Sequence, residues 1–173
     1  TMTARVPAST ISDMSFGSLR NLGSALVIAC TVVVAAVAAR TAAMSFNRYI
    51  DRHIDASNPR TAGREIPSGQ LSPAFAAGLT VVSSAAFVGA AFALNPLAGQ
   101  LSPAVLLVLL GYSLVKRFSA LVHLVLGIAL GLAPLGAWIA VRGSFEGDLT
   151  AILLLFVTVW TWVAGFDLIY SCQ

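Results

Sequence analysis

The sequence predicts an all-α, multi-pass transmembrane helical bundle. Three observations carry that expectation. Of 173 residues, 58% are hydrophobic and only 10% are charged, whereas soluble domains carry about 25% charged residues. The mean hydropathy is +0.88. The apolar residues fall into runs of about 20, the length that crosses a bilayer as a helix. The net charge of +3 rests on a few basic residues beside the apolar runs, where they orient spans; nucleic acid is not an expected partner.

The elements follow in order. Residues 1–20 are polar, with no basic stretch leading into an apolar one, so no secretory signal is visible. The chain begins with Thr, which suggests a start inside a longer protein. Spans are expected at about 21–46, 72–94, 101–115, 119–141 and 149–172, the third being short for a full crossing. Asn58-Pro59 should stop the first helix, because proline lacks an N–H and restricts the residue before it. Ser72-Pro73 and Ser102-Pro103 both read as an N-cap followed by a first-turn proline. Asn95-Pro96 and Arg142-Gly143 read as turns. Gly127, Gly131 and Gly136, with Pro134, give the fourth span a strip suited to close packing or a kink. Cys30 and Cys172 sit in apolar runs without metal-ligand spacing and read as small packing residues.

The stretch from Asn47 to Asp55 holds the chemistry. Asn47, Asp51 and Asp55 recur every four residues, and each such step turns a helical side chain by only about 40°. They form one oxygen-bearing stripe at the end of a span. Ionisable groups at a membrane edge are costly and mark function by default. Hard oxygen ligands beside a phosphorylated substrate suit Mg²⁺. The same spacing also fits a helix end that merely faces water and nearby arginines, and spacing alone leaves the two readings open. Arg52, Arg60, Arg64, Lys116 and Arg117 have the chemistry to clamp a diphosphate, or to orient the spans. Asp167 lies inside an apolar run and therefore needs a partner or a wet cavity; Tyr170 follows by one turn. His53 points to another side of the helix than Asp51 and Asp55. His123 reads as a hydrogen-bonded interhelical residue rather than a base.

Charge sets the topology. Arg48, Arg52, Arg60, Arg64, Lys116 and Arg117 fall on one side, and Arg5, Arg20 and Arg142 on the other. The excess assigns the 48–70 side to the cytoplasm. Lys116-Arg117 and the end of the fifth span return there, so three distant stretches are expected to converge on one membrane face.

Asn47-x3-Asp51-x3-Asp55 followed by Pro59-Arg-Thr-Ala-Gly-Arg-Glu-Ile-Pro-Ser-Gly69 resembles the first aspartate-rich signature of the UbiA superfamily of intramembrane prenyltransferases. Arg40 to Phe46, Lys116-Arg117-Phe118, Leu126-Gly127, Ala137-Trp138 and Gly165 to Gln173 are similar to its 4-hydroxybenzoate polyprenyltransferase and menaquinone-pathway branches. The resemblance covers about residues 20–173. It implies nine helices around a cavity with two aspartate-rich motifs at its cytoplasmic mouth, in a bacterial inner membrane. It implies Mg²⁺ on Asn47, Asp51 and Asp55, and diphosphate on Lys116, Arg117 and Arg52, the last alternatively holding the acceptor's carboxylate. Asp167 would lie near the reacting ring. The implied partners are polyprenyl diphosphate, a small aromatic acceptor and membrane lipid. The chain stops short of two further carboxylates of the second motif, so it reads as part of such an enzyme, catalytically incomplete alone. A different acceptor (haem, chlorophyllide, naphthoate) and a transporter-like segment are the rival readings.

Overall fold

A computed structural model describes residues 8–115 and 122–171, with side chains from Leu22 onward. Five helices run in order: α1 (Ala8–Ser57), α2 (Pro73–Leu94), α3 (Pro96–Val115), α4 (Val122–Arg142) and α5 (Thr150–Ser171). All five are long and apolar enough to cross a membrane. Helix α1 packs against α2 and α3, and α5 packs against α4. Among the described residues α1 and α5 do not touch.

The core is built from small side chains. Its buried apolar residues are alanines and Ile139, and buried serines and threonine accompany them. Leu107, Val81 and Trp162 are among the large side chains left on the outside. This inversion suits lipid: large apolar groups gain nothing by leaving it, and small residues let backbones approach. Cys30 is free and exposed rather than packed, and Cys172 lies outside the described residues.

Helix α1 is longer than its expected apolar span. It begins at Ala8 and continues through the stripe to Ser57, 50 residues in all. The interior contains no proline, and the breaker arrives at Asn58-Pro59, as the sequence predicts. Ser72 caps α2 by accepting a hydrogen bond from the Phe75 N–H at 3.1 Å.

The parallel expectation for Ser102-Pro103 fails. Helix α3 starts at Pro96 and runs through Pro103, so the third span is 20 residues rather than short. An interior proline leaves the carbonyl four residues back without its N–H donor; here that carbonyl belongs to Gly99. The Ser102 hydroxyl donates to the Gly99 oxygen at 2.7 Å and replaces the missing bond. The start signal sits instead at Asn95, whose Oδ1 accepts from the Ala98 N–H at 2.8 Å. Asn95 Nδ2 also donates to the carbonyls of Ile139 and Ala140 at 2.9 and 3.2 Å. One side chain thus starts α3 and holds the end of α4.

The turn after α4 needs glycine, because Gly143 has φ +66°. Before α5, the Thr150 N–H donates to Asp148 at 2.8 Å. The Thr150 hydroxyl, and then its N–H, hold the exposed Asp148 carboxyl below its ordinary pKa.

Close approach of α4 and α5 depends on Gly127 and Gly131. A Cβ at Gly127 would lie 2.5 Å from the Trp160 carbonyl oxygen, and one at Gly131 3.0 Å from the Phe156 ring. The Trp160 indole N–H donates to the Leu124 carbonyl at 3.2 Å, which locks the register. Gly127→Val should therefore force the helices apart and cost about 1–3 kcal/mol, the range for overpacking. Gly136 has open space at its Cβ position, so Gly136→Ala should leave stability intact. Thermal unfolding in detergent compares the two variants.

Candidate functional site at one rim of the bundle

Alternating direction brings the C-terminal ends of α1, α3 and α5 and the N-terminal ends of α2 and α4 to the same rim. Asp51 and Asp55 are buried there, 4% and 5% exposed. Their side of α1 faces protein, not lipid. His53 is exposed on another face, as expected.

Each stripe residue is held differently. Asn47 Nδ2 donates to Ser113 Oγ on α3 at 3.3 Å. That use of the amide nitrogen leaves the Asn47 carbonyl oxygen as the acceptor end. Asp55 takes a forked contact from Arg64 Nη1, 2.8 Å to Oδ1 and 2.9 Å to Oδ2. The segment 58–71 reaches back to α1 to make this contact. Its turns are closed by its own backbone, as in Thr61 N–H to Asn58 O at 2.9 Å and Ser68 N–H to Arg64 O at 2.9 Å. The Thr61 hydroxyl donates to the Asp55 carbonyl at 3.1 Å. Glu65 meets Arg48 at 3.4 Å, a second strap onto α1.

The cationic candidates divide. Arg64 joins the stripe. Arg52 lies beside it, with its guanidinium 4.5 Å from the Tyr49 ring centroid and Nη1 donating to the Tyr49 carbonyl at 2.8 Å. Arg60 is exposed, and only its backbone is engaged, by Asn58. Lys116 and Arg117 lie outside the described residues; Ser113, one helical turn before them, touches Asn47.

Asp167 has the partner that its apolar setting demands. His123 Nδ1 lies 2.7 Å from Asp167 Oδ2, across the α4–α5 contact. The side chains are 19% and 32% exposed. Gly127 sets this meeting, because it seats α4 against Ala164, one turn before Asp167. His123 is thus the interhelical residue that the sequence suggested. Tyr170 is not drawn in: it is 63% exposed and packs on Phe166 with ring centroids 5.0 Å apart.

Tyr112, near the end of α3 at the same rim, is half-buried. Sequence reasoning missed Tyr112 and Ser113. The available signal was their position one turn before Lys116-Arg117 on the same helix. It also missed the Arg48–Glu65 strap, because both residues read as ordinary interfacial charges.

Hard oxygen donors in this arrangement fit a divalent cation. Two buried carboxylates share a face with an amide whose nitrogen is taken by Ser113, and among the described residues one guanidinium, that of Arg64, meets Asp55. Among the described residues no three His, Cys, Asp or Glu side chains cluster closely enough to form a metal site alone, so Asp51 and Asp55 with Asn47 supply a partial ligand set.

Comparison with known proteins gives the same direction. Residues 10–173 match the UbiA prenyltransferase family. The chain is 35% identical over 132 residues to a 4-hydroxybenzoate octaprenyltransferase of Pectobacterium atrosepticum, covering 76% of this chain and 45% of that protein. It is 36% identical over 125 residues to a 4-hydroxybenzoate solanesyltransferase of Synechocystis, covering 72% and 42%. A solved structure, the apo form of a UbiA homolog from Aeropyrum pernix K1, superposes with a TM-score of 0.77 at 40% identity over 84% of this chain and 55% of that one. The chain therefore spans about half the length of the proteins it matches.

Removing Arg64 should expose the cost of the buried Asp55. A fully buried pair broken on one side loses about 3–5 kcal/mol. Arg64 is 37% exposed, and solvent screens it, so Arg64→Gln should lose about 1–2 kcal/mol. Arg60→Gln should lose nothing measurable. Melting temperatures of the two variants in the same detergent decide the matter.

Proposed function

The chain belongs to the UbiA prenyltransferase family, and from that premise we propose that the protein transfers a polyprenyl group from its diphosphate to a hydroxylated aromatic acceptor such as 4-hydroxybenzoate, as a step of quinone biosynthesis. The observation that carries this reading is the burial of Asp51 and Asp55 on one face of α1, at the same rim where Asp167 meets His123. Relatives named for 4-hydroxybenzoate favour that acceptor over haem, chlorophyllide or naphthoate. The charge asymmetry supports a cytoplasmic site face.

Asn47, Asp51 and Asp55 would hold Mg²⁺. When bound, the ion supplies Lewis-acid neutralisation of the diphosphate leaving group. For Asp55 to serve as a ligand, Arg64 must give up at least one of its two contacts, and the freed guanidinium then has a phosphate to meet. Arg52, Lys116 and Arg117 complete the cationic rim that binds the diphosphate. Fixed charges aimed at a leaving oxyanion lower the barrier because they need no reorganisation during the reaction.

As the allylic C–O bond lengthens, positive charge grows on the prenyl carbon. The ring carbon ortho to the acceptor's hydroxyl forms the new C–C bond, and a ring proton is lost. An apolar surround keeps water from the cation. Toward the opposite rim, a groove of about 350 Å³ between the first half of α1 and the end of α4, lined by Ala25, Ile28, Ala29, Val32, Ala137 and Val141, offers an apolar wall to the distal part of a long prenyl tail.

Prenyl transfer in proteoliposomes tests the reading. Asp51→Asn should lower the rate by about 10²–10³, the scale for loss of one preorganised electrostatic contact. Chelation should abolish transfer. Mg²⁺ should raise the melting temperature of the wild type but not of Asp51→Asn. Transfer that survives both chelation and the substitution would refute the proposal.

A further inference from the structure

Beyond the interhelical role that the sequence suggests for it, and against the expectation that it is not a base, we infer that His123, oriented by Asp167, takes the hydroxyl proton of the aromatic acceptor. This rests on the prenyl-transfer reading and adds to it the group that activates the acceptor.

The 2.7 Å contact joins His123 Nδ1 to Asp167 Oδ2. An ionised carboxylate only accepts hydrogen bonds, so a neutral imidazole must carry its proton on Nδ1. The lone pair then sits on Nε2. No described residue hydrogen-bonds that nitrogen, and part of the side chain stays open, 19% exposed. A carboxylate behind an imidazole fixes its orientation and stabilises the imidazolium that forms when Nε2 takes a proton.

The surroundings suit a phenol. The couple spans α4 and α5 at the N-terminal end of α4 and the C-terminal end of α5, the same rim that carries the stripe. A base on that rim stands on the side from which the donor's diphosphate departs. The α4–α5 seam around Gly127 has no room for adjustment, so the couple is held on rigid elements, as a catalytic pair must be.

The allylic C–O bond breaks, and its electron pair leaves with the diphosphate. The ring carbon ortho to the hydroxyl forms the C–C bond while the hydroxyl proton passes to Nε2, which leaves a neutral dienone. The hydrogen on the alkylated ring carbon then moves to the oxygen and restores the phenol. The imidazolium returns its proton to water, and one proton is released per turnover.

The test compares a phenolic acceptor with its O-methyl ether, which has no hydroxyl proton to give. Wild type should prefer the free phenol strongly. His123→Gln keeps a hydrogen-bond donor toward Asp167 but lacks the base. Its turnover on the phenol should fall by about 10²–10³, within the range of general-base contributions. Its slow turnover on the ether and its KM for the prenyl diphosphate should not change, so the preference collapses. Asp167→Asn presents an amide to Nδ1 and favours the other tautomer; the preference should collapse there too. Wild-type turnover of the phenol by His123→Gln, or an equal fall for phenol and ether in both variants, would overturn the inference and leave the prenyl-transfer reading standing. Absence of transfer by the wild type to either acceptor would overturn both. Should His123→Gln not fold, Asp167→Asn decides the question alone.

Discussion

Burial of Asp51 and Asp55 is the constraint on which the rest of this architecture depends. Two carboxylates 4% and 5% exposed inside an apolar bundle cannot remain there without compensation. The fold answers locally. Segment 58–71 bends back so that Arg64 reaches Asp55, and Glu65 with Arg48 straps the segment a second time. Ser113 on α3 holds the Asn47 amide. The rim thus gathers hard oxygen donors on one face of α1, the setting that a divalent cation and a diphosphate together can complete. The electrostatic demand of the stripe thus shapes the loop and defines the ligand chemistry at once.

The second half of the site obeys packing rather than charge. Lipid removes the hydrophobic driving force between helices, so contact area comes from small residues. Gly127 and Gly131 bring α4 against Trp160, Phe156 and Ala164. That contact sets the register in which His123 and Asp167 meet at 2.7 Å. At the far rim Asn95 ties the start of α3 to the end of α4. Helix α3 is therefore fixed at both ends, by Asn95 at one rim and by the Ser113–Asn47 contact at the other.

Much of this was legible in the sequence, and for identifiable reasons. The helical spacing of Asn47, Asp51 and Asp55 specifies a shared face, because helix geometry leaves no alternative. The isolation of Asp167 among apolar residues specifies a need for a partner, and His123 supplies it. Ser72-Pro73 starts a helix, whereas Ser102-Pro103 does not, although the local tetrapeptides are identical. The difference lies upstream: Asn95 caps α3 first, and the Ser102 hydroxyl then serves the carbonyl that Pro103 orphans. Local propensity could not reveal this, because the deciding bonds begin outside the tetrapeptide. Tyr112 and Ser113 were invisible for a related reason. Their importance comes from α1 and α4 meeting α3 in space, and no spacing along one segment encodes that. Arg60 and Arg64 look alike in sequence, yet only the turn geometry of segment 58–71 sends one to Asp55 and the other to solvent.

These features describe a rim that carries an acidic helix end, a basic strap and a His123–Asp167 couple. The most direct measurement is an anomalous-diffraction map of the protein with Mn²⁺ and a non-cleavable prenyl thiodiphosphate. The account predicts metal density on the oxygens of Asn47, Asp51 and Asp55, with the diphosphate beside it and the first prenyl carbon directed toward His123 and Asp167. Metal seated away from the stripe, or a prenyl carbon on the far side of α1 from Tyr112, would contradict it.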